Sequence, residues 1–378
     1  MQQETLLAQA GVRRDASTGA IASPIHLSAA FQHPALGQST GFDYSRTGNP
    51  TRQVLEETLA LLDGGSRAAA FSSGLAAIDA VLRIFTPGDA LVVTEDVYGG
   101  SFRLFEQFGT RYGLSFHYVD TSDAQAVEEA LALPGVAGLF VEMPTNPLLK
   151  VADVPSLAAM ARKRHALTIV DNTFLTPALF RPLEHGADIA VYSATKYLGG
   201  HNDLIAGLAV TNNAAIGERL AFIQNATGAV LSPFDSWLLL RSLKTLRIRL
   251  ARQQETALDI ARFLQGHPAV RRVYYPGLPT DPGFLTLSRH CDGSGAMLSA
   301  ELDSPQRAKQ VLAAVNVFLF AESLGGAESL VTYPLVQTHA DMKPELLARV
   351  GITDCLLRFS IGLEDVQDLQ DDLEAALA

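Results

Sequence analysis

The sequence is poor in cysteine, with only Cys291 and Cys355 among 378 residues. They lie far apart and form no CxxC pair, which argues against a disulfide framework and against a zinc ribbon. Long apolar runs are also missing, because none approaches the roughly 18 residues that span a bilayer. The polar residues 1–15 do not have the pattern of a signal peptide. Together these absences predict a cytoplasmic protein.

Basic residues are scarce and scattered. The chain has 29 Lys and Arg against 40 Asp and Glu, which gives a net charge of −11. An acidic chain without a basic block is a poor candidate for nucleic acid or an anionic membrane. A small anionic ligand is compatible with this charge, since it needs only a local cluster of donors. HExxH, the Walker phosphate loop, GxGxxG after a strand and GxSxG are absent, and no metal site is predicted.

Hydrophobic residues make up 48% of the chain and charged residues 18%, which is enough apolar material for a large buried core. Short apolar runs alternate with helical patterns between about residues 48 and 235. This alternation predicts an α/β fold, with a mostly parallel sheet and helices on both faces. Strands are predicted at 68–71, 90–94, 115–119, 138–143, 167–171, 189–193 and 206–211, and helices at 51–65 and 154–166.

The two ends of the chain have different patterns. The N-terminal part is rich in Gly, Ser, Pro and Thr and is predicted to be an extended arm. One long helix is predicted over 236–267, as a link between domains. The remainder mixes strand and helix patterns. The chain is therefore predicted to divide into the arm (1–47), a large domain (48–250) and a smaller C-terminal α/β domain (251–378).

Polar residues follow several predicted strands, at the edge of a parallel sheet where ligands bind. Lys196 comes just after a strand, beside the hydroxyls of Ser193 and Thr195 and before a glycine pair. A lysine in that setting can form a Schiff base with a carbonyl compound. Asp171 ends another buried strand, and Gly74 opens a helix whose first N–H groups can bind a phosphate.

Tyr98 follows a further strand and can lay its ring on a flat heterocycle. An amine, a phosphate site and an acid facing a ring nitrogen are the partners of pyridoxal 5′-phosphate, which is the predicted cofactor. Simpler explanations are also open: Lys196 can be a solvated lysine, Asp171 a helix N-cap and Tyr98 ordinary core packing. His201 and His339 are interpreted as structural, because no third group is seen to orient them.

Eight motifs occur in order: YSRTGNPT (44–51), SSGLAAI (72–78), EDVYGG (95–100), TNPLLK (145–150), VDNTF (170–174), SATKYLGGH (193–201), AESLGGAES (321–329) and LLRFSIGLE (356–364). Through them the sequence resembles the Cys/Met-metabolism family of pyridoxal-phosphate enzymes over almost its whole length. The resemblance implies the PLP-dependent transferase fold of the aspartate-aminotransferase type. Within the family, YSRTGNPTRQ, TKYLGGHND and FDSWLLLR are most similar to the cystathionine γ-synthase and O-acetylhomoserine thiolyase branch.

The resemblance implies roles around the cofactor. Lys196 holds it covalently, Asp171 pairs with the pyridine nitrogen, and Tyr98 stacks on the ring. Assistance by Tyr98 in proton transfer is a separate hypothesis. The phosphate is held by Gly74, Leu75, Ser193 and Thr195. Tyr44 and Arg46 reach the phosphate of a neighbouring subunit, so the family pattern implies a homotetramer of dimers that share active sites.

The resemblance also implies substrate contacts. Arg358 holds the substrate α-carboxylate with Ser323 nearby, because a guanidinium grips a carboxylate at two points. Asn146 lies near the 3′-oxygen of the cofactor. Asp43 contacts the amino group of an incoming cysteine, and Arg103 holds its distal carboxylate.

Three functions are weighed. The first is γ-replacement on O-acyl-homoserine with cysteine, giving cystathionine, or with sulfide, giving homocysteine, in methionine biosynthesis and transsulfuration. The second is a cystathionine γ-lyase or β-lyase that runs the same early steps. The third is a cofactor-binding regulator without activity, against which the presence of Lys196, Asp171, Tyr98 and Arg358 argues.

Overall fold

Two β-sheets organise the fold, in a computed structural model that describes residues 1–12, 14–340, 342 and 344–378. The larger sheet has seven strands and the smaller has five. This architecture confirms the predicted α/β class, with a mostly parallel large sheet and a second, smaller α/β part.

The large sheet contains every strand that was predicted between residues 48 and 235. Its strands are β1 (Arg67–Phe71), β2 (Ala90–Thr94), β3 (Ser115–Val119), β4 (Val136–Glu142), β5 (Leu167–Asp171), β6 (Ile189–Ser193) and β7 (Gly207–Thr211). They lie in the order β1-β7-β6-β5-β4-β2-β3, and only β7 runs antiparallel to its neighbours. The carboxyl ends of β2, β4, β5 and β6 therefore meet at one edge of the sheet.

Helices cover both faces of this sheet. Successive residues of a strand point to opposite faces, and in β6 Ala190 and Tyr192 join one buried cluster while Ile189 and Val191 join another. The helices are α1 (Gln3–Ala8), α2 (Pro50–Leu62), α3 (Gly74–Leu82), α4 (Gly99–Leu104), α5 (Ala124–Leu131), α6 (Val154–Lys163), α7 (Thr176–Leu179), α8 (Ala214–Thr227), α9 (Pro233–Leu243), α10 (Leu246–Gly266), α11 (Phe284–His290), α12 (Pro305–Ala314), α13 (Pro344–Val350) and α14 (Val366–Leu377). Among the described residues, none of them combines the length and hydropathy of a bilayer-spanning segment.

The small sheet is formed by the C-terminal third of the chain. Its strands are β8 (Val270–Tyr274), β9 (Met297–Leu302), β10 (Leu319–Phe320), β11 (Leu330–Thr332) and β12 (Leu356–Ser360). The order is β10-β11-β12-β9-β8, with only the β10–β11 pair parallel. The apolar patterns RRVYYPG, AMLSAEL and LLRFSIG predict the strands β8, β9 and β12, whereas β10 and β11 are too short to show a period.

The prediction of one long helix over 236–267 is wrong, because the structure has two helices there, α9 and α10, which are separated by Lys244 and Thr245. The buried Arg249 accounts for the break. Its Nη2 donates to the carbonyl of Ser242 (3.1 Å) and its Nε to Thr245 Oγ1 (3.2 Å). A side chain inserted into the helical hydrogen bonds in this way interrupts them. Helix α10 spans the predicted boundary between large and small domains, and that division stays a prediction.

The N-terminal residues are less extended than predicted. Helix α1 forms there and packs on α2. Lys244 Nζ donates to the carbonyl of Ala8 (3.1 Å), and Trp237 Nε1 donates to that of Ser23 (2.9 Å). Residues near the start of the chain thus pack against α2 and α9, while residues 27–46 are mostly exposed.

Candidate active site

A cavity of about 370 Å³ opens at the carboxyl ends of β4, β5 and β6. Residues from both sheets line it. Those predicted from the sequence are Gly74, Leu75, Tyr98, Asn146, Asp171, Ser193, Thr195, Lys196, Ser323 and Arg358. Segments far apart in the chain therefore converge on one site, as the strand-end argument predicts.

Lys196 projects from the turn after β6 into this cavity, and its Nζ donates to Ser323 Oγ (2.9 Å). Burial lowers the pKa of Lys196 to about 8, and the charge of Arg358 lowers it further while Glu322 opposes the change. Ser323 holds a φ of 97°, a left-handed conformation that is strained for a residue other than glycine. The amine is thus held in place and is partly neutral near physiological pH.

Asp171 ends β5 and is buried. It accepts hydrogen bonds from the Thr173 backbone N–H (3.0 Å) and from Thr173 Oγ1 (2.6 Å). Thr173 Oγ1 in turn accepts from the N–H of Ser193 (2.8 Å), which joins the ends of β5 and β6. Burial raises the pKa of Asp171 to about 6, although the two hydrogen bonds from Thr173 act to lower it. A cationic partner in the cavity would favour its ionised form.

The start of α3 forms a second part of the cavity. Ser73 caps the helix by accepting from the N–H of Ala76 (3.1 Å). The N–H groups of Gly74 and Leu75, at the first two positions of the helix, have no helical acceptor and carry the positive end of the helix dipole. Gly74 lies so close to Ser193 that a larger residue would not fit, since a Cβ at position 74 would be only 2.9 Å from Ser193 Cβ. Thr195 Oγ1 bonds to both the N–H (3.0 Å) and the carbonyl (3.2 Å) of Ala206.

Arg358 lies on β12 and is 2% exposed. Its Nη1 donates to Asn146 Oδ1 (2.8 Å), and its Nη2 donates to the carbonyl of Ser323 (3.1 Å) and to Thr332 Oγ1 (3.2 Å). Among the residues that the structure describes, none is a hydrogen-bond partner of its Nε. Burial lowers the pKa of Arg358 to about 10, so the guanidinium is charged at neutral pH. A fixed cation with a spare donor is suited to a carboxylate.

Tyr98 stands immediately before α4 at the side of the cavity and is 37% exposed. Burial of its hydroxyl raises the pKa of Tyr98, with Arg103 opposing, so the phenol stays protonated at neutral pH. Gly100 leaves room for the ring, because a Cβ at that position would overlap it.

Four predicted residues do not line the cavity of this subunit, namely Asp43, Tyr44, Arg46 and Arg103. Tyr44 is 48% exposed, and Arg46 donates to the carbonyl of Asn225 (2.7 Å). Asp43 accepts from Ser39 Oγ (2.7 Å). The arm residues thus lie on the surface of the chain, and their role in the site of a neighbouring copy stays a prediction.

Two carboxylates in the lining were not singled out in the sequence, Glu142 and Glu322. Glu142 ends β4 as Asp171 ends β5, so the strand-end rule would have found it. Glu322 precedes Ser323 in the AESLGG motif and stands exposed at the mouth. Its position in the motif that also contains Ser323 is the sequence signal that could have identified Glu322 as a site residue.

His339 is buried and does not line the cavity. It has the orienting groups that the sequence did not reveal: Thr338 Oγ1 lies 2.8 Å from Nδ1, and the carbonyl of Asn146 lies 3.0 Å from Nε2. Burial lowers the pKa of His339 to about 4, so the ring is neutral. The ring therefore braces the Asn146 loop, which agrees with a structural role.

The residues present fit pyridoxal 5′-phosphate. Gly74 keeps open the cradle at the start of α3, which suits a phosphate. Asp171 offers an anion for the pyridine nitrogen, and Lys196 offers a partly neutral amine for the aldehyde. The unpartnered Nε of Arg358 leaves a donor for the carboxylate of an amino-acid substrate.

Comparison with known proteins agrees with this site. A family model described as Cys/Met metabolism PLP-dependent enzyme matches residues 4–378. The chain is 48% identical over 374 residues to a protein of Bacillus subtilis (strain 168) named cystathionine gamma-synthase/O-acetylhomoserine (thiol)-lyase, covering 99% of this chain and 96% of that one. It is 45% identical over 377 residues to the cystathionine gamma-lyase of the same strain, covering 100% and 99%. A solved cystathionine gamma synthase from Xanthomonas oryzae pv. oryzae, in complex with cystathionine, superposes with a TM-score of 0.98 at 43% identity, covering 100% and 98%.

The matches extend over essentially the whole chain, and their named reactions differ. They therefore assign the family and the cofactor, pyridoxal phosphate, and leave several related reactions open. The chain belongs to the Cys/Met-metabolism family of pyridoxal-phosphate-dependent enzymes.

Proposed function

We propose that the protein catalyses a γ-replacement, in which cysteine displaces the acyloxy group of an O-acylhomoserine to give cystathionine and a carboxylic acid. With sulfide in place of cysteine, the product is homocysteine. The observation that carries this proposal is the 48% identity, along 99% of the chain, to a protein named for both activities. We place the reaction in methionine biosynthesis and transsulfuration in the cytoplasm.

The proposed mechanism uses Lys196 as the base. Pyridoxal phosphate, when bound, supplies the electron sink for the negative charge that forms at the substrate Cα. Lys196 Nζ takes the Cα proton and, once it has released that proton, takes a Cβ proton, after which the acyloxy group leaves from Cγ as a carboxylate. When the thiol has added at Cγ, protons return to Cβ and Cα. A base with a pKa of about 8 suits this work near neutral pH. The hydroxyl of Ser323, 2.9 Å from Nζ, directs the amine.

Other side chains hold the reactants in the proposed mechanism. Arg358 would bind the α-carboxylate of the homoserine ester, and Asp171 would hold the pyridine nitrogen of the cofactor as an anion. Tyr98 would support the cofactor ring and keep its phenolic proton. Glu322 lines the mouth and offers a carboxylate to the ammonium of the incoming cysteine, whereas Asp43 does not line the cavity of its own subunit. The thiol then adds at Cγ.

One comparison of rates tests the choice of reaction. The purified holoenzyme is given O-acetyl- or O-succinylhomoserine with cysteine or sulfide, and, separately, cystathionine alone. We expect kcat/KM for condensation to exceed that for keto-acid release from cystathionine by at least about tenfold. The lyase alternative, which the 45% identity to a γ-lyase favours, predicts the reverse order. In that case 2-oxobutanoate would indicate the γ-lyase and pyruvate the β-lyase.

The lowered pKa of Lys196 predicts how the rate of cofactor attachment depends on pH. Only the neutral amine attacks an aldehyde, so the attachment rate of the apo-protein should rise with pH and level off above about 8. At pH 7 roughly a tenth of such an amine is neutral, far more than of an ordinary lysine with a pKa near 10.4. Stopped-flow absorbance after mixing with pyridoxal phosphate measures this profile. A rate that still rises between pH 9 and 10.5 would contradict the assignment.

The exposed arm makes a prediction about assembly. If Arg46 reaches a neighbour's phosphate, Arg46→Ala should weaken cofactor binding by about tenfold, because a charged hydrogen bond to the phosphate is lost. Titration of the apo-protein with pyridoxal phosphate measures the change. Asn225→Ala is the matched control, since it removes the in-chain Oδ1 partner of Arg46 (3.1 Å) and keeps the charge. Unchanged affinity in Arg46→Ala at a concentration where the protein is oligomeric would remove the arm from the site.

A further inference from the structure

Glu142 is a buried acid in the cavity that the proposed mechanism does not use. It is the last residue of β4, is 6% exposed and lines the cavity. In the register of the parallel pair β4–β5 it lies directly beside Asp171. Paired residues on neighbouring strands point to the same face, so the two carboxyl groups share one side of the sheet.

Glu142 is tied to the loop that carries the aromatic residue of the site. Its Oε2 accepts a hydrogen bond from the backbone N–H of Tyr98 (3.0 Å). Tyr98 is the N-cap residue of the short helix α4, and its own side chain makes no capping hydrogen bond. One side chain thus joins the end of β4 to the loop that carries Tyr98.

No basic side chain forms an ion pair with Glu142 in the part of the chain that the structure describes. Burial raises the pKa of Glu142 well above its usual range, and the charge of Asp171 raises it further. The proton-free oxygen of a neutral carboxyl accepts a hydrogen bond as a carboxylate does. The bond to Tyr98 therefore does not require Glu142 to be charged.

We propose that Glu142 is a positioning residue, which holds the backbone of Tyr98 so that the tyrosine ring lies against the cofactor. Without an acceptor at this point, the N–H of Tyr98 is left unpaired beside a buried strand end, and the loop relaxes to satisfy it. The ring then loses its fixed orientation. This inference rests on the proposed role of Tyr98 as the platform for the ring.

The first test compares Glu142→Gln with Glu142→Ala and Glu142→Met. Pyridoxal phosphate is titrated into each apo-protein, and the circular dichroism of the bound cofactor, per molecule bound, reports how its ring is held. The glutamine keeps an acceptor and should bind within about twofold of wild type, while alanine should weaken binding by about tenfold and change the dichroism. Methionine fills the space without a good acceptor and should behave as alanine does, which covers the case that the alanine variant does not fold.

Asp372→Ala is the control for general loss of packing. Asp372 is another buried carboxylate that accepts backbone N–H groups, from Asn316 (2.7 Å) and Val317 (3.0 Å) among others, and it does not line the cavity. Its variant should melt at a lower temperature and keep the wild-type dichroism of the bound cofactor.

A double-mutant cycle with Tyr98→Ala decides whether Glu142 acts through the ring. In the Tyr98→Ala background, adding Glu142→Ala should weaken cofactor binding by less than about twofold. Additive losses, or a glutamine variant as impaired as alanine, would overturn the inference. If Tyr98→Ala alone leaves affinity and dichroism unchanged, the platform role fails and the inference falls with it. If the Glu142 variants match wild type in affinity and dichroism while Tyr98→Ala does not, the inference about Glu142 is wrong and the platform role of Tyr98 stands.

Discussion

Replacing Lys196 with alanine is expected to abolish covalent attachment of the cofactor and to lower turnover by about a thousandfold or more. The amine is the group in the cavity that combines burial, a pKa of about 8 and a fixed position against Ser323. Loss of a covalent partner and loss of a base in one substitution explain the size of the effect. Borohydride treatment followed by peptide mass mapping measures attachment, and steady-state assays measure turnover.

The wild-type protein provides its own control in the mapping experiment. Lys150 is also partly buried, and its Nζ lies 2.6 Å from Asp120 and 3.5 Å from Glu95. Burial lowers the pKa of Lys150, but these acids outweigh it and raise the pKa overall, so this amine stays protonated. The reduced cofactor should therefore be found on Lys196 and not on Lys150. Turnover that survives in Lys196→Ala would mean that another group is the base.

Replacing Arg358 with alanine or lysine is expected to lower kcat/KM for the homoserine ester by about 10²- to 10³-fold, with little change in cofactor affinity. Its guanidinium is already fixed by Asn146, Ser323 and Thr332, and a planar fork can make these contacts while an ammonium cannot. Removing one partner of a buried charge pair costs about 2–5 kcal/mol, which sets the magnitude. Steady-state kinetics and cofactor titration separate the two effects.

A substrate variant shows whether the loss comes from the α-carboxylate. Wild-type enzyme should strongly prefer O-acetylhomoserine over its α-methyl ester, and Arg358→Ala should lose most of that preference. Thr332→Val is the milder control, because it removes one 3.2 Å hydrogen bond to Arg358 and leaves the charge in place. If Arg358→Ala keeps the full preference, the carboxylate is held elsewhere.

The sequence predicted a large part of the fold because strands and helices alternate with clear periods and because ligands bind at strand ends. The seven strands of the large sheet and the position of Asp171 at the end of β5 follow from this local pattern. The motifs, read in order, also predicted the family and the cofactor, which the family match over residues 4–378 confirms. Local periodicity and motif order are properties of the chain alone, so no structure is needed to read them.

Other features depend on contacts between distant segments. Asn146 and Arg358 meet across 212 positions of sequence, and the carbonyl of that same Asn146 is one of the two orienting partners of His339. The break between α9 and α10 is set by where the buried Arg249 finds carbonyl groups. Glu142 lies beside Asp171 because β4 and β5 pair in one register, and a shift of a single residue would turn its side chain to the other face. Periodicity shows which face a residue occupies, and only the packed chain decides which residues share it.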